Sequence, residues 1–397
     1  MMILPYITAI SVILLIGILC SMLSEKFKIS NMAVLIIAGI LLRLIKYEGK
    51  PIIELPTIFI AGVSIIALAL IVFDGSSRFK FKELDTFSMR ALKLFLLLLL
   101  FNLTFLSAFV MWRFKIDIFL ALIFSTIMTQ TAFDVTSSLI KINHTRVLNL
   151  LETESILNTP FIVLLPFLIL DLKQNIGTTD IMTKFMGYSL PFLQQIIIGV
   201  GAGMLVGLVV FKAMKKRYSE KLSPIALITS ALISYILAEN LGGNGVLAVT
   251  ALGLFFGNTY LKQKDMLKEF SLMVSSSLEI LVFILIGIII QFPLQLDFLL
   301  KGFVVYLVVL LIRYAAIQVA FSSKFNRKEK IFMTLLSPKG IATATLTLTF
   351  STYAIQGMST VLNLLLISMV YSIIVSSIAA KFQAKFLEET HPTRVLP

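Results

Sequence analysis

The sequence predicts an all-α membrane protein with about 13 transmembrane helices, and three observations support this fold class. First, 58% of the 397 residues are hydrophobic and only 14% are charged, and the mean hydropathy is +0.99. Such a composition is not that of a soluble domain. Second, apolar runs of about 20 residues, the length that crosses a bilayer as a helix, recur along the whole chain. Third, basic residues are concentrated in alternate loops, which is typical of proteins with several membrane spans.

The predicted spans are separated by short polar or charged links, and no stretch accommodates a separate soluble domain. The first apolar run has no basic region before it and no cleavage site after it, so we expect it to be a retained span. From length and apolarity, the approximate limits of the spans are 3–23, 31–46, 57–75, 91–111, 117–139, 147–170, 190–212, 224–239, 245–261, 270–292, 298–321, 331–354 and 360–381.

Loop charge predicts how the protein is oriented in the cell membrane. The links after spans 3, 7 and 11 are the richest in Lys and Arg, with the sequences SSRFKFKELDTFSMRALK, KAMKKRYSEK and SSKFNRKEK. We therefore expect the odd-numbered loops and the C-terminus in the cytoplasm, and the N-terminus outside. This asymmetry accounts for the net charge of +13, so no nucleic-acid partner is expected.

Two spans carry residues that interrupt a helix. Span 12 contains Pro338, Lys339 and Gly340 near its middle, and proline removes a backbone donor and clashes with the preceding turn. Span 5 is rich in threonine around Thr129 and is expected to open in a similar way. The two spans occupy the middle of the triplets 4–6 and 11–13, and broken helices in corresponding positions are the signature of inverted-repeat transporters.

Spans 5 and 6 carry an unusual number of polar side chains for their predicted depth in the membrane. A carboxylate at the middle of a transmembrane helix costs about 2.5–3.5 kcal/mol on insertion scales, so such residues usually mark a path for ions or polar solutes. The residues concerned are Thr129, Gln130 and Asp134 in span 5, and Glu154, Ser155, Asn158 and Thr159 in span 6.

Charged residues near the middle of spans are expected to pair with each other, because an isolated buried charge is costly. Glu154 in span 6 and Lys339 in span 12 are expected to form a salt bridge, either structural or coupled to ion occupancy. Glu279 in span 10 and Arg313 in span 11 are expected to form a structural pair.

Two aspartates have two interpretations each. Asp134 lies four residues after Gln130, so both residues share a helix face. Asp134 either faces the ion path or lies at the cytoplasmic mouth, beside Lys141 and Arg146. Asp74, at the end of span 3, either supplies charge to the ion path or caps the following turn.

Several segments resemble the cation:proton antiporters, most closely the NhaP-type sodium/proton exchangers of archaea and bacteria. FDGSSRF at 73–79 is similar to the family's FEGGLRF, and AENLGGNGVLAVTALGLFFGN at 238–258 to its A-E-x-L-G-x-S-G-x-L-A-V-x-x-x-G-L-x-x-G-N segment. LEILVFILIG at 278–287 resembles E-x-L-L-F-x-L-x-G, SPKG at 337–340 stands where the family has G-P-R-G, and ETESILNTP at 152–160 stands where it has E-x-E-S-x-x-N-D. In order and at similar spacing, these segments cover nearly the whole chain.

The resemblance implies a fold of 12–14 helices, with a six-helix core that contains two crossed, broken helices and a separate dimerisation bundle. The core then comprises residues of about 91–170 and 298–381, and the dimerisation bundle about 3–75 and 190–292, within one integral membrane domain. A homodimer is expected. Span 7 contains GVGAGMLVG, a small-residue face that allows helices to approach closely.

Two positions depart from the family pattern. The family's Thr–Asp pair aligns with Thr129–Gln130 and its Asn–Asp pair with Asn158–Thr159, so both aspartates are replaced here. In relatives, the second aspartate alternately binds sodium or protons. Exchange in this chain therefore requires another titrating group, for which Asp74, Asp134, Glu154 and Lys339 are the candidates; a lysine can lose its proton when buried, whereas an arginine effectively cannot.

The resulting functional hypothesis is a secondary transporter, not an enzyme, that exchanges sodium or potassium for protons by alternating access and needs no cofactor. Its expected partners are the cation, the proton and the lipid bilayer, with no metal bound beyond the transported cation. The ion ligands are expected from Thr129, Ser155, Asn158 and Thr159, with charge from Asp74 or Asp134. The alternative is a degenerate antiporter-fold membrane protein that serves another solute or a partner protein; the two missing aspartates favour it.

Overall fold

The structure is a computed structural model that describes residues 4–27, 29–47, 50–51, 55–79, 86–137, 139–140, 145–175, 181–261, 263–289, 295–322 and 324–387. The described chain is helical apart from its connecting segments and a two-residue antiparallel hairpin between Lys46–Tyr47 and Lys50–Pro51. The helices are α1 (Leu4–Phe27), α2 (Asn31–Leu44), α3 (Thr57–Ser77), α4 (Thr86–Phe101), a π-helical turn (Asn102–Leu106), α5 (Ser107–Phe114), α6 (Ile118–Ile127), α7 (Asp134–Ser137), α8 (Arg146–Asn175), α9 (Ile181–Lys216), α10 (Leu222–Asn240), α11 (Gly245–Asn258), α12 (Lys264–Ile289), α13 (Leu296–Ala320), α14 (Arg327–Leu335), α15 (Ile341–Ser351), α16 (Met358–Lys381) and a short 3₁₀ turn (Gln383–Lys385).

The helices reproduce the predicted spans. In the described residues, nine helical segments are long and apolar enough to cross a membrane, and four shorter apolar helices accompany them. Every predicted span corresponds to one continuous helix or to helical segments separated by an irregular stretch. The prediction of an all-α membrane protein of about 13 spans is therefore confirmed.

Both spans that were expected to be broken are broken. In span 5, α6 ends at Ile127 and α7 begins at Asp134; in span 12, α14 ends at Leu335 and α15 begins at Ile341. The break in span 12 contains Pro338, which lacks a backbone N–H and whose ring disfavours a regular helical turn. Each break leaves backbone groups that must find partners inside the protein, because the membrane interior offers none.

The two irregular segments contact each other, and a backbone hydrogen bond joins them. The Ala132 N–H donates to the Pro338 carbonyl over 2.9 Å. The chains approach so closely that a Cβ atom at Gly340 would lie 2.3 Å from the Cβ of Ala132. Only glycine fits at position 340 without displacing the neighbouring segment, which explains why the break in span 12 ends in this residue.

Helix α16 satisfies other backbone groups of the second break with two serines one turn apart. The Ser372 hydroxyl accepts from the Lys339 N–H over 3.0 Å. The Ser376 hydroxyl accepts from the Ser337 N–H over 3.2 Å and donates to the Leu335 carbonyl over 2.8 Å. These side chains take the place of the missing intrahelical partners.

The glycines of span 7 pack against another helix of the same chain. Helix α9 packs along α11, and Cβ atoms at Gly199 and Gly203 would come within 2.8 Å and 2.0 Å of the backbone oxygens of Asn244 and Ala248. The close approach that this small-residue face allows therefore joins α9 to α11 of the same chain. The interpretation of this face as a dimer contact finds no support in this packing.

Helix α3 lies between two groups of helices. It packs against α11 and α12 on one side and against α8 and α15 on the other. The first group belongs to the predicted dimerisation bundle and the second to the predicted core. The end of α3 therefore lies beside the broken spans, while the division of the chain into these two bundles stays a prediction.

Candidate functional site

The ammonium group of Lys339 lies at the C-terminal end of the broken helix α6. Its Nζ donates to the carbonyl oxygens of Met128 and Gln130, both over 2.6 Å. The residue is only 2% exposed. The carbonyl end of a helix carries partial negative charge, so a buried cation is favoured there.

Lys339 does not pair with Glu154, and the prediction of that salt bridge is wrong. In the described part of the chain, the Lys339 ammonium makes no ion pair; its two hydrogen-bonded partners are neutral carbonyl oxygens. The physical reason is that the broken end of α6 supplies acceptors for the ammonium, while a better-matched cation takes the carboxylate.

That cation is Arg313 of α13. Its two terminal nitrogens donate to the two carboxylate oxygens of Glu154, each over 2.9 Å, and its Nε donates to the Met333 carbonyl over 3.1 Å. The planar guanidinium matches a carboxylate in this two-point manner, whereas an ammonium cannot. The ion pair that the structure gives Arg313 is therefore with Glu154, and the pairing of Arg313 with Glu279 stays a prediction.

Gln130 joins the two broken spans. Its Oε1 accepts from the Gly340 N–H over 3.1 Å and from the Thr343 hydroxyl over 2.6 Å. Gly340 is the residue before α15, so this neutral side chain caps the positive end of that half-helix. Gln130 thus has a structural role at a position where the resemblance led us to expect an aspartate.

A cavity of about 200 Å³ opens beside the broken spans, between α3, α8 and α15. It is lined by apolar side chains and by six polar ones, which are Asp74, Arg78, Gln130, Glu152, Ser155 and Thr159. Four of the predicted site residues, Asp74, Gln130, Ser155 and Thr159, therefore meet in one place. Their side chains offer a carboxylate, an amide and two hydroxyl groups.

Asp74 is the buried carboxylate of this cavity, with 6% exposure. One of its oxygens, Oδ2, forms an ion pair with Arg78 over 2.5 Å. Asp74 also lines the cavity. This carboxylate is therefore placed to contribute to a bound cation as well as to the end of α3.

The two hydroxyl groups face the same cavity. Ser155 Oγ accepts from the Phe133 N–H over 3.2 Å, and Thr159 Oγ1 donates to the Ser155 carbonyl over 2.9 Å. Each oxygen keeps acceptor capacity, because a hydroxyl carries two lone pairs. Oxygen atoms of this kind are the preferred ligands of hard cations.

Thr129 and Asn158 are not among the residues that line the cavity. Both are fully buried and bound to neighbouring side chains. Thr129 Oγ1 accepts from Asn102 Nδ2 over 2.9 Å, and Asn158 Nδ2 donates to Thr131 Oγ1 over 2.6 Å. Their positions favour support of the unwound segment over direct contact with an ion in this cavity.

Asp134 is the first residue of α7, but its side chain lies outside the described part of the structure. Its interpretations as a titrating group and as a mouth residue both stay predictions. Glu279 lies in α12, where its side chain is half-buried and has an interaction partner.

Sequence reasoning missed one buried polar residue beside the broken spans, Asn102, which donates to Thr129. It identified Arg313 but not the pair of Arg313 with Glu154. A signal for Asn102 was present, since it is a polar residue in the middle of the leucine-rich stretch KLFLLLLLFNLTFL. Buried polar residues of this kind are expensive in a membrane and usually have a role.

Comparisons with known proteins identify the family and the fold of the chain. The family model described as "Sodium/hydrogen exchanger, transmembrane" matches residues 10–385. The chain is 23% identical over 342 residues to the K(+)/H(+) antiporter NhaP2 of Shewanella baltica, which covers 84% of this chain and 59% of the relative. It is 24% identical to the probable Na(+)/H(+) antiporter 2 of Methanocaldococcus jannaschii, over 83% of this chain and 81% of that protein.

Among solved structures, the sodium proton antiporter MjNhaP1 from Methanocaldococcus jannaschii at pH 8 superimposes with a TM-score of 0.76 at 19% sequence identity. The match covers 96% of this chain and 99% of MjNhaP1, so the two chains share a fold. The chain spans about six-tenths of the length of the NhaP2 relative.

Proposed function

The chain belongs to the sodium/hydrogen exchanger family, and on this premise we propose that it exchanges a monovalent cation for protons across the cell membrane. The observation that carries the proposal is the cavity at the crossing of the broken spans, where Asp74, Ser155 and Thr159 present oxygen atoms. A broken-helix crossing that lines a cavity is the arrangement in which transporters of this kind bind ions.

In this proposal, Asp74 supplies the negative charge that compensates the cation's lost hydration. The hydroxyl oxygens of Ser155 and Thr159 complete part of its coordination. The residues at the two family aspartate positions, Gln130 and Thr159, contribute neutral oxygens only. Asp74 is therefore the buried carboxylate of the proposed site, while the second carboxylate of the cavity lining, Glu152, is exposed.

We assign the exchanged proton to Lys339. Its ammonium is buried against neutral carbonyl oxygens, and the side chain of Gln130, which supplies one of those carbonyls, lines the cavity. A cation that approaches this end of α6 repels the ammonium and competes for the same carbonyls. Loss of the lysine proton then keeps the charge of the site constant, which is the coupling that exchange requires.

The first test is a substitution at Asp74. In vesicles with reconstituted protein, Asp74→Asn is expected to reduce cation-driven proton flux to the level of protein-free vesicles. Asp297→Asn is a matched control, because Asp297 forms the same type of pair with a basic residue four positions later, Lys301, on an exposed helix end. If Asp74→Asn and Asp297→Asn both retain wild-type flux, Asp74 is not a ligand of the transported cation.

We propose that the N-terminus faces outward and the C-terminus the cytoplasm, from the basic residues of the odd-numbered loops. A cysteine introduced in the 217–221 link after α9 is then protected from a membrane-impermeant reagent added outside sealed cells. Labelling of that cysteine from outside would reverse the orientation.

We also propose a homodimer, which rests on the family resemblance. The lipid-embedded protein is expected to have the mass of two chains. A single-chain mass both in mild detergent and in lipid would contradict this assembly.

A further inference from the structure

A second pair of buried oxygen atoms lies on another side of the broken helix α6. Asn102 belongs to the π-helical turn of span 4, and Ser125 lies in the last turn of α6. Both residues have 0% exposure. Neither contributes to the lining of the cavity described above.

The orientation of the Asn102 amide is fixed by its neighbour. Thr129 Oγ1 donates its only proton to the Ser125 carbonyl over 2.9 Å, so it can only accept from Asn102. The Asn102 side chain therefore presents Nδ2 to Thr129, over 2.9 Å, and turns Oδ1 away from it. In the described residues, this buried Oδ1 has no hydrogen-bond partner.

Ser125 provides the second oxygen. It precedes Thr129 by four residues, so the two side chains lie on one face of the helical turn, the face that Asn102 contacts. Its buried Oγ also has no partner among the described side chains and backbone groups. A buried polar atom without a hydrogen-bond partner is costly, so a small polar guest beside these two atoms is favoured.

The backbone geometry supports the same interpretation. A π-helical turn inserts one extra residue into a helix and occurs mainly at functional sites. Here it directs Asn102 toward the C-terminal end of α6, where the helix carries partial negative charge. A guest with positive charge, or a water molecule that donates hydrogen bonds, fits an acceptor oxygen in this position.

We propose that Asn102 and Ser125 form a second oxygen subsite behind the broken helix, which binds the transported monovalent cation or a water of its hydration shell. The proposal rests on the cation exchange proposed above. The Lys339 ammonium, bound to the Met128 carbonyl next to this end of α6, repels a cation there. Cation occupancy of the subsite is thus favoured once Lys339 has lost its proton, and water occupies it otherwise.

The first experiment determines occupancy directly, on the full chain in lipid nanodiscs. Maps are recorded with thallium and with an impermeant organic cation as the only cation. Density between Asn102 Oδ1 and Ser125 Oγ in either map supports the subsite, and stronger density in thallium identifies the cation as its guest. Absence of density in both maps overturns the proposal, and this readout does not depend on transport.

The second experiment measures the cation concentration that gives half-maximal flux. Ser125→Ala removes one subsite oxygen and is expected to raise this concentration several-fold, by different factors for sodium and potassium. Ser107→Ala is the matched control, because the Ser107 hydroxyl already donates to the Leu103 carbonyl of its own helix. Equal half-maximal concentrations in wild type, Ser125→Ala and Ser107→Ala overturn the role of the subsite in transport. Absence of flux in all three proteins rejects the exchange function, and the maps alone then decide whether the subsite exists.

Discussion

Replacing Arg313 by methionine is expected to destabilise the protein by about 3–5 kcal/mol, because it leaves the Glu154 carboxylate buried without its counter-ion. Arg313 is 1% and Glu154 0% exposed, and the two groups form two hydrogen bonds of 2.9 Å. The Glu154→Gln change alone should have a similar effect, since the guanidinium then loses its charge partner. Removing both charges together in Glu154→Gln/Arg313→Met is expected to cost less than either single change.

The measurement is the thermal unfolding midpoint of purified protein in detergent for the two single variants and the double variant. Lys173→Met provides a control, because the Lys173–Asp117 pair is partly exposed and such pairs contribute about 0–1 kcal/mol. A double variant that loses as much stability as the two single variants lose together would mean that the charges are not coupled.

Replacing Lys339 by arginine is expected to abolish exchange while the protein remains folded. A guanidinium can occupy the carbonyl end of α6 and keeps its charge at all accessible pH values, so it caps the helix but cannot release a proton. Lys339→Met, in contrast, leaves the carbonyls of Met128 and Gln130 without their donor and is expected to lower both stability and flux.

Cation-driven proton flux and unfolding midpoints are measured for both variants and for Asp134→Asn. Wild-type flux in Lys339→Arg would exclude Lys339 as the proton carrier. Loss of flux in Asp134→Asn together with normal flux in Lys339→Arg would assign that role to Asp134 instead.

The spans and their breaks were predictable because their causes are local. A run of apolar residues fixes a span through its length alone. Pro338, followed by Lys339 and Gly340, favours an interruption of the helix, whereas Pro160 and Pro166 lie within the continuous helix α8. The glycine at position 340 reflects a contact with Ala132 from another span, yet its effect on the backbone is visible in the sequence as a break.

The charge partners were not predictable, because they depend on which spans are adjacent and how their side chains are directed. Glu154 had two basic candidates in the membrane, Lys339 and Arg313, and spacing along the chain does not distinguish them. Glu154 pairs with Arg313 because a guanidinium binds a carboxylate through two hydrogen bonds. Lys339 instead binds the carbonyl groups at the end of α6, and only the folded crossing of the two spans brings these within its reach.

The polar site was predicted in part. Asp74, Ser155 and Thr159 meet at the cavity, because span 3 packs beside span 6. Thr129, which was predicted as an ion ligand, instead accepts a hydrogen bond from Asn102. No sequence periodicity predicts the extra residue of a π-helical turn.

The central claim is tested most directly by cation uptake into vesicles that contain the wild-type protein and an outward-directed proton gradient. We expect uptake of radioactive sodium or rubidium against its own gradient, accompanied by proton release and abolished when the proton gradient is collapsed. Absence of proton-coupled uptake for sodium, potassium and lithium would contradict cation exchange and would favour a degenerate antiporter-fold protein with another role.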